Sequence, residues 1–337
     1  MFSLRERSLY VEALDLWIDS LRSRERCYVS HGHSDHARRH ATIVTSKNNA
    51  RVCRLRLGLR RERQSELFAA KRRQPACEFE EHEFNEPWQA GEHRLTLFPA
   101  GHVLGSAQLA IEGERGRFVY TGDFKLEPSY TAEAPEVKRC DVLLMECTYG
   151  RPQYVFPPRA EVAAAMVAWA RKALEDGATP VFLAYSLGKA QEALAILGNA
   201  GIPLTAHASI FAMTRVYEEA GVAMPPYEKY DPAFDGSRAL VWPPSGSNPR
   251  GVGRRPVRTA SLTGWVASRG TWGYGGATDA GFALSDHADY PALLRYLELA
   301  QPHRVILNHG YRDFVNRVRK LGIEAEYLDE HAQLALF

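Results

Sequence analysis

Apolar and polar positions along this chain repeat one arrangement: a short β-prone run, then a loop rich in histidine, aspartate or glutamate. Leu9–Asp19 (LYVEALDLWID) reads as one or two strands ending near Asp15 and Asp19. Cys27–Ser30 leads into His31-Gly32-His33-Ser34-Asp35-His36, and Arg94–Ala100 stops at Gly101-His102, with Gly105 just beyond. Ala107–Ile111 and Arg117–Tyr120 form a hairpin through residues 112–116, and the second strand runs to Thr121-Gly122-Asp123. Asp141–Met145 ends at Glu146. Ala41–Thr45 is a further strand, after which Ser46 caps a helix through Arg51–Leu57. Strand ends that gather at one sheet edge make an active site in a layered α/β protein.

From about Glu161 the texture changes. Glu161–Glu175 is an alanine-rich amphipathic helix, Pro180–Tyr185 is a strand, and Ser186 caps a helix over Lys189–Leu197. Strand and helix then alternate as in a small parallel sheet. Near the end the earlier arrangement returns: Gly281–Leu284 leads to Ser285-Asp286-His287, and Arg304–Asn308 leads to His309-Gly310. The first sheet is therefore expected to resume at Gly281, with an insertion of roughly residues 160–280 between its two parts.

The 337 residues suffice for two packed units, or for one domain with a large insertion. No apolar run reaches membrane-spanning length, and the opening MFSLRERSLY lacks a signal-peptide core. The five cysteines are odd in number, scattered and never CxxC, which suits reduced thiols in a cytoplasm. Net charge is only +2, yet eight lysines leave 34 of the 42 cations as arginine. Arginine's planar fork matches phosphate oxygens, and a GC-rich genome would give the same bias.

Three segments bear on a polyanion. Arg51 to Arg63 with Lys71-Arg72-Arg73 is the densest basic stretch, readable as a polyanion contact or as a solvated helix face. Ser186-Leu187-Gly188-Lys189 at a helix start offers free N–H groups, a hydroxyl and a cation: a phosphate seat or ordinary capping. Residues 243–258, with Arg254 and Arg255, precede Trp265, Trp272 and Tyr274. Arginines beside aromatics suit a single-strand groove, and buried tryptophans beside a surface loop are the alternative.

HGHSDH concentrates four metal-binding side chains in six positions, far beyond what packing needs. Imidazole with carboxylate suits zinc or a similar divalent ion such as manganese. One ion cannot easily use all four groups from so short a loop, but two adjacent ions can. The strand-end candidates are His31, His33, Asp35, His36, His102, Asp123, Glu146, His287 and His309. Two ions sharing one carboxylate need about seven ligands, which the first six of these and His309 supply with Asp123 as the bridge. Such a pair activates water at neutral pH and polarises a phosphoryl or acyl group. Glu146 and His287 remain for proton transfer, and Asp15 or Asp19 is left to brace the metal loop. The other six histidines (His40, His82, His93, His207, His303, His331) read as ordinary surface or core residues.

HGHSDH, GHVLGS and YTGD resemble the signature of the metallo-β-lactamase fold, and ECTYG, LSDHADY and LNHG resemble the motifs of its β-CASP nuclease branch. VCRLRLG, FPAGHVLGSAQ, GDFKLEP, YSLGKAQ and LSDHADY are similar, more narrowly, to bacterial ligase-associated DNA exonucleases. The likeness runs from about residue 27 to residue 315. It implies an α/β fold, an αββα sandwich in two parts (1–158 and 281–337), with an inserted α/β β-CASP cap at 159–280 over the metal cleft. It implies His31, His33 and His102 on one ion, Asp35, His36 and His309 on the other, and Asp123 between them. Asp35, Asp123, Glu146 and His287 would be the catalytic residues, the last two as a paired acid. The implied activity is nucleic-acid hydrolysis, with DNA preferred over RNA, in repair and in association with an ATP-dependent DNA ligase and a helicase. His309 stands where RNA-cleaving members often carry histidine, so an RNA endonuclease or 5′ exonuclease stays open. A small-ester hydrolase and a metal-free scaffold are the more distant alternatives.

Overall fold

A computed structural model of the chain describes residues 2–5, 8–59, 76–244, 249, 252–269, 272–273 and 276–328. The chain packs as two compact units, one made of Met1–Leu126, Glu133–Thr148 and Arg295–Phe337, the other of Glu127–Ala132 and Tyr149–Leu294.

The first unit opens with β1 (Phe2–Arg5), β2 (Ser8–Val11), β3 (Leu16–Ile18), β4 (Arg26–Tyr28) and β5 (Thr42–Ser46). Helix α1 (Lys47–Arg56) follows, then β6 (Glu78–His82), β7 (Trp88–Ala90), β8 (His93–Pro99), β9 (Ala107–Gly113), β10 (Gly116–Tyr120) and β11 (Val142–Cys147). One six-stranded sheet has the order β1-β2-β3-β4-β5-β6. Alternate residues of the remaining strands (Leu95 and Leu97, Leu109 and Ile111, Phe118 and Tyr120, Val142 and Leu144) pack with Val11, Ile18, Tyr28 and Val44 of that sheet. This core joins two stacked sheets, and each large apolar side chain buried in it contributes roughly 1.5–3 kcal/mol. Val119, Leu143 and Met145 on the opposite face are buried as well. Burial on both faces explains the unbroken apolar run VLLM.

Helix α1 starts as its sequence dictates: Ser46 Oγ accepts the Asn49 amide at 3.2 Å and donates to the Gly105 carbonyl at 2.5 Å. Its Cys53 packs with Cys27, Val29 and Ile43 on the outer face of the first sheet.

The second unit contains α2 (Arg159–Glu175), β12 (Thr179–Leu183), α3 (Lys189–Asn199), β13 (Leu204–Ala206), α4 (Ala208–Glu219), β14 (Glu228–Lys229), β15 (Ala239–Trp242) and β16 (Val257–Leu262). After α5 (Val266–Arg269) and the small hairpin β17 (Trp272–Gly273) with β18 (Gly276–Ala277) comes β19 (Ala280–Phe282). Its main sheet, β14-β13-β15-β12-β16-β19, is parallel at every pairing. The chain then continues through α6 (Tyr290–Ala300) to β20 (Arg304–Gly310), α7 (Phe314–Arg319) and β21 (Glu324–Tyr327), which complete the first unit's second sheet as β21-β20-β11-β10-β9-β8-β7.

Two expectations need correction here. The strand at Gly281 does not resume the first sheet: β19 pairs with β16, and Phe282 packs with Phe182 and Trp169 of the second unit. Periodicity marks a strand but does not choose its neighbour. Ser186 does not cap α3 either; Gly188 does, at φ +88°, with its amide donating to the Gln191 side chain at 2.8 Å. In the second unit Tyr149 and Tyr154 pack on Trp265, and Phe156 packs on Tyr149. Among the described residues no helix is long and apolar enough to cross a membrane. All five cysteines are free thiols.

Candidate metal centre

Strands β3, β4 and β5 run parallel, so Asp19, the loop from Ser30 to His36, and Ser46 leave the first sheet at one edge. In the second sheet β8, β10, β11 and β20 share a direction, which puts His102, Asp123, Glu146 and His309 at one edge as well. The expected single sheet edge is thus the common end of two stacked sheets.

Asp19 organises the first set. Its Oδ1 accepts the Ser30 amide at 2.7 Å, and its Oδ2 accepts Ser30 Oγ at 2.5 Å, Tyr120 Oη at 2.7 Å and His36 Nδ1 at 2.8 Å. Because the Ser30 proton is spent on Asp19, Ser30 Oγ is left to accept from His31 Nδ1 at 3.1 Å. Both imidazoles thereby turn Nδ1 to a fixed hydrogen-bond partner and Nε2 inward, the orientation in which histidine binds a metal. Neither Nε2 has a hydrogen-bond partner, and each lies 3.5 Å from Asp123 Oδ2.

The second set meets the first. His102 Nε2 lies 3.0 Å from His33 Nδ1 and 3.9 Å from Asp123 Oδ2. His31, His33, His102 and Asp123 each offer a ligand atom within 4.8 Å of the others. The His309 ring sits 4.9 Å from the His36 ring, centroid to centroid. The His102 loop is held by Ser106 Oγ, which accepts the His102 and Val103 amides at 3.1 Å each. Gly105 closes it at φ +72°, where a Cβ would stand 2.1 Å from the Asn49 amide nitrogen, so no side chain fits.

The two buried imidazoles answer to their surroundings in opposite directions. Burial, together with the neighbouring His36 and His102, pushes His31 well below the usual imidazole range. Burial acts on His36 in the same sense, but Asp123 and Asp19 outweigh it and raise His36 well above that range. A nest of imidazoles around one carboxylate, two with buried inward nitrogens that lack a hydrogen-bond partner, is a donor set that suits a zinc-type ion.

Of the remaining candidates, Glu146 offers a ligand atom within 4.8 Å of one on Asp123. Asp35 is exposed beside this cluster. Glu146 is fully buried, its Oε1 accepting the Phe124 amide at 2.8 Å and its Oε2 the Thr148 hydroxyl. His287 belongs to the second unit, its Nε2 3.9 Å from Asp286 Oδ1 and its amide bonded to Ser285 Oγ. The phosphate seat does not form as expected, for Lys189 is 6% exposed and ion-paired with buried Asp286, while Ser186 Oγ meets Ser209 Oγ at 3.1 Å. Arg254 is exposed and Arg255 half-buried. Trp265 packs against Tyr149 and Tyr154 rather than standing free. Arg60 to Arg73 with Lys71, part of the 243–258 loop, Tyr274 and His331 lie outside the described residues, as does the Trp272 side chain.

His40, predicted to be ordinary, is buried, accepts the Arg24 amide at Nδ1, and is held down at about 4 by burial. His82 stacks on Trp88, and His207 accepts at the start of α4. Sequence reasoning missed Ser30, Tyr120, Ser106 and Thr148. Tyr120 carried a usable signal: a tyrosine at a buried strand's end needs a partner for its hydroxyl.

Sequence profiles match the chain in two places, a Beta-lactamase superfamily domain over residues 19–180 and a Zn-dependent metallo-hydrolase RNA specificity domain over residues 282–332. A "Probable DNA ligase" of Opitutus terrae is 39% identical over 331 residues, 97% of this chain and 31% of that protein. An "RNase J-like protein" of Methanocaldococcus jannaschii is 29% identical over 37% of this chain and 32% of its own length. "Endoribonuclease YSH1" of Gibberella zeae is 38% identical over 31% of this chain and 13% of its own. The chain therefore spans about a third or less of the length of these relatives. A crystal structure of a protein of unknown function from Enterococcus faecalis V583 shares the fold, with TM-score 0.63 and 16% identity over 91% of this chain and 80% of that one.

Proposed function

We propose, for a chain that belongs to the β-CASP branch of the metallo-β-lactamase superfamily, a two-metal phosphodiesterase that hydrolyses nucleic acid and acts on DNA as an exonuclease in bacterial repair. The observation that carries this reading is the meeting of His31, His33, His36, His102 and Asp123, from loops of two sheets, with two buried imidazole nitrogens that no donor reaches. His31, His33 and His102 would hold one ion, Asp35, His36 and His309 the other, and Asp123 both. Such a pair supplies activation of water and neutralisation of charge on the scissile phosphate.

The chain's own residues do the rest. Asp19 keeps His36, and through Ser30 also His31, in the ligand orientation. Water gives up one proton to solvent as its oxygen bonds to phosphorus, the bond to the departing sugar oxygen breaks, and His287, with Glu146 as its paired acid, supplies the proton that oxygen needs and is reprotonated from solvent. Arginine contacts to backbone phosphates, Arg254 and Arg255 among them, would hold the strand with little sequence preference. The inserted cap is assigned to residues 159–280, the location to the cytoplasm, and the working partners to an ATP-dependent DNA ligase and a helicase.

DNA is favoured because the relative named for a DNA ligase matches along 97% of the chain, whereas the two relatives with ribonuclease names match over 37% and 31%. An RNA endonuclease or 5′ exonuclease is the second reading, supported by the RNA specificity profile over residues 282–332. End-labelled single- and double-stranded DNA and RNA of one sequence, incubated with zinc or manganese, separate the two. DNA shortened from an end is the expected result, and RNA cut while DNA survives overturns the DNA assignment. In the same assay His287→Ala should lose most activity while keeping its metal; full activity in that variant removes the assigned acid.

A further inference from the structure

Strands β11 and β20 pair in register up to Glu146 opposite Asn308, and then the register shifts so that Cys147 faces Gly310. His309 is the extra residue of this bulge and takes a left-handed backbone at φ +44°. A bulge re-aims a side chain, and here it turns the imidazole toward His36. Left-handed backbone is unfavourable for a residue with a Cβ, so neighbouring groups must hold it. Gly310 lets the chain pass close by, since a Cβ there would stand 1.9 Å from the Cys147 carbonyl oxygen.

Thr148 reaches into this bulge. Its single hydroxyl proton is shared between Glu146 Oε2 and the His309 carbonyl, the latter at 3.2 Å. The other oxygen of Glu146 takes the amide of Phe124, the residue after Asp123. One hydroxyl therefore stands between two acceptors and ties the end of β11 to the loops that carry Asp123 and His309.

We propose that Thr148 is a positioning residue for the metal centre, holding the His309 bulge and the Glu146 carboxylate so that the outer ion's donors are set before it arrives. This rests on the two-metal reading above. Valine matches threonine in shape but leaves a carboxylate and a carbonyl facing a methyl group, whereas serine restores the donor.

The test compares full-length wild type, Thr148→Ser and Thr148→Val by zinc stoichiometry and by zinc affinity in competition with a chromophoric chelator, with unfolding of the metal-free proteins as the control for fold. Thr148→Val should lose on the order of 10–100-fold in affinity for the weaker of two ions and hold the tighter one unchanged, while Thr148→Ser stays near wild type. Added zinc should restore whatever nuclease activity Thr148→Val has lost. Wild type binding two ions while Thr148→Val binds them equally well overturns the proposal alone, as does a serine variant as impaired as the valine one. Wild type that takes up fewer than two zinc ions overturns the two-metal reading and the proposal with it.

Discussion

The donors of the proposed two-ion site are built to different depths. His31, His36 and His102 are 0%, 1% and 3% exposed, and around them run the Asp19 network and the Ser106 turn, which act on groups already buried. Asp35 and His309 are exposed, and His309 is presented by a backbone bulge with one shared hydroxyl behind it. Donors whose orientation is settled on folding lose little freedom when an ion arrives, whereas exposed donors on irregular backbone lose more. The buried donors, His36 of the outer ion's set among them, are therefore the preorganised ones, and the exposed Asp35 and His309 of that set are where affinity can be tuned.

Three results would break or sharpen this contrast. The largest effect is expected from Asp123→Ala, because Asp123 lies within reach of both donor sets. Metal analysis should find both ions depleted and nucleic-acid cleavage should fall to background, so a variant that keeps two ions removes the shared carboxylate. Next in size is the difference between His31→Ala and His309→Ala. The first should strip the tightly held ion, and the second should leave a protein that retains one ion through dialysis against a mild chelator. Equal losses from the two would erase the distinction between buried and exposed donors. Smallest is Asp19→Asn, which keeps the shape but replaces one acceptor oxygen with a donor. Zinc affinity should drop roughly 10–100-fold as His36 and Ser30 lose their common acceptor, and an unchanged affinity would reduce Asp19 to a packing residue.

Asp19 and Asp15 show where reading the chain stops. Asp19 follows β3 and Asp15 ends a single 3-10 turn (Glu12–Leu14) before it, both have φ +44°, and nothing in their spacing separates them. In the folded chain Asp15 accepts Tyr10 Oη at the surface, while Asp19 collects four hydrogen bonds beneath the metal loop. Lys189 makes the same point in the opposite sense. A lysine at a helix start resembles a phosphate seat, yet its ammonium is buried against Asp286, 97 residues away in the chain. His102 was legible throughout, because a histidine between glycines just after an apolar strand has few structural reasons to be there.

The order of residues alone determined the strands, the loops that close them and the chemistry those loops carry, because side-chain alternation and turn-forming residues are local properties. Tertiary structure decided which strand pairs with which, that two sheet edges rather than one supply the donors, and which hydroxyls and carboxylates hold each imidazole. Those outcomes depend on contacts between residues tens to hundreds of positions apart, such as Tyr120 on Asp19 or Thr148 on His309, and no local pattern encodes a distant partner.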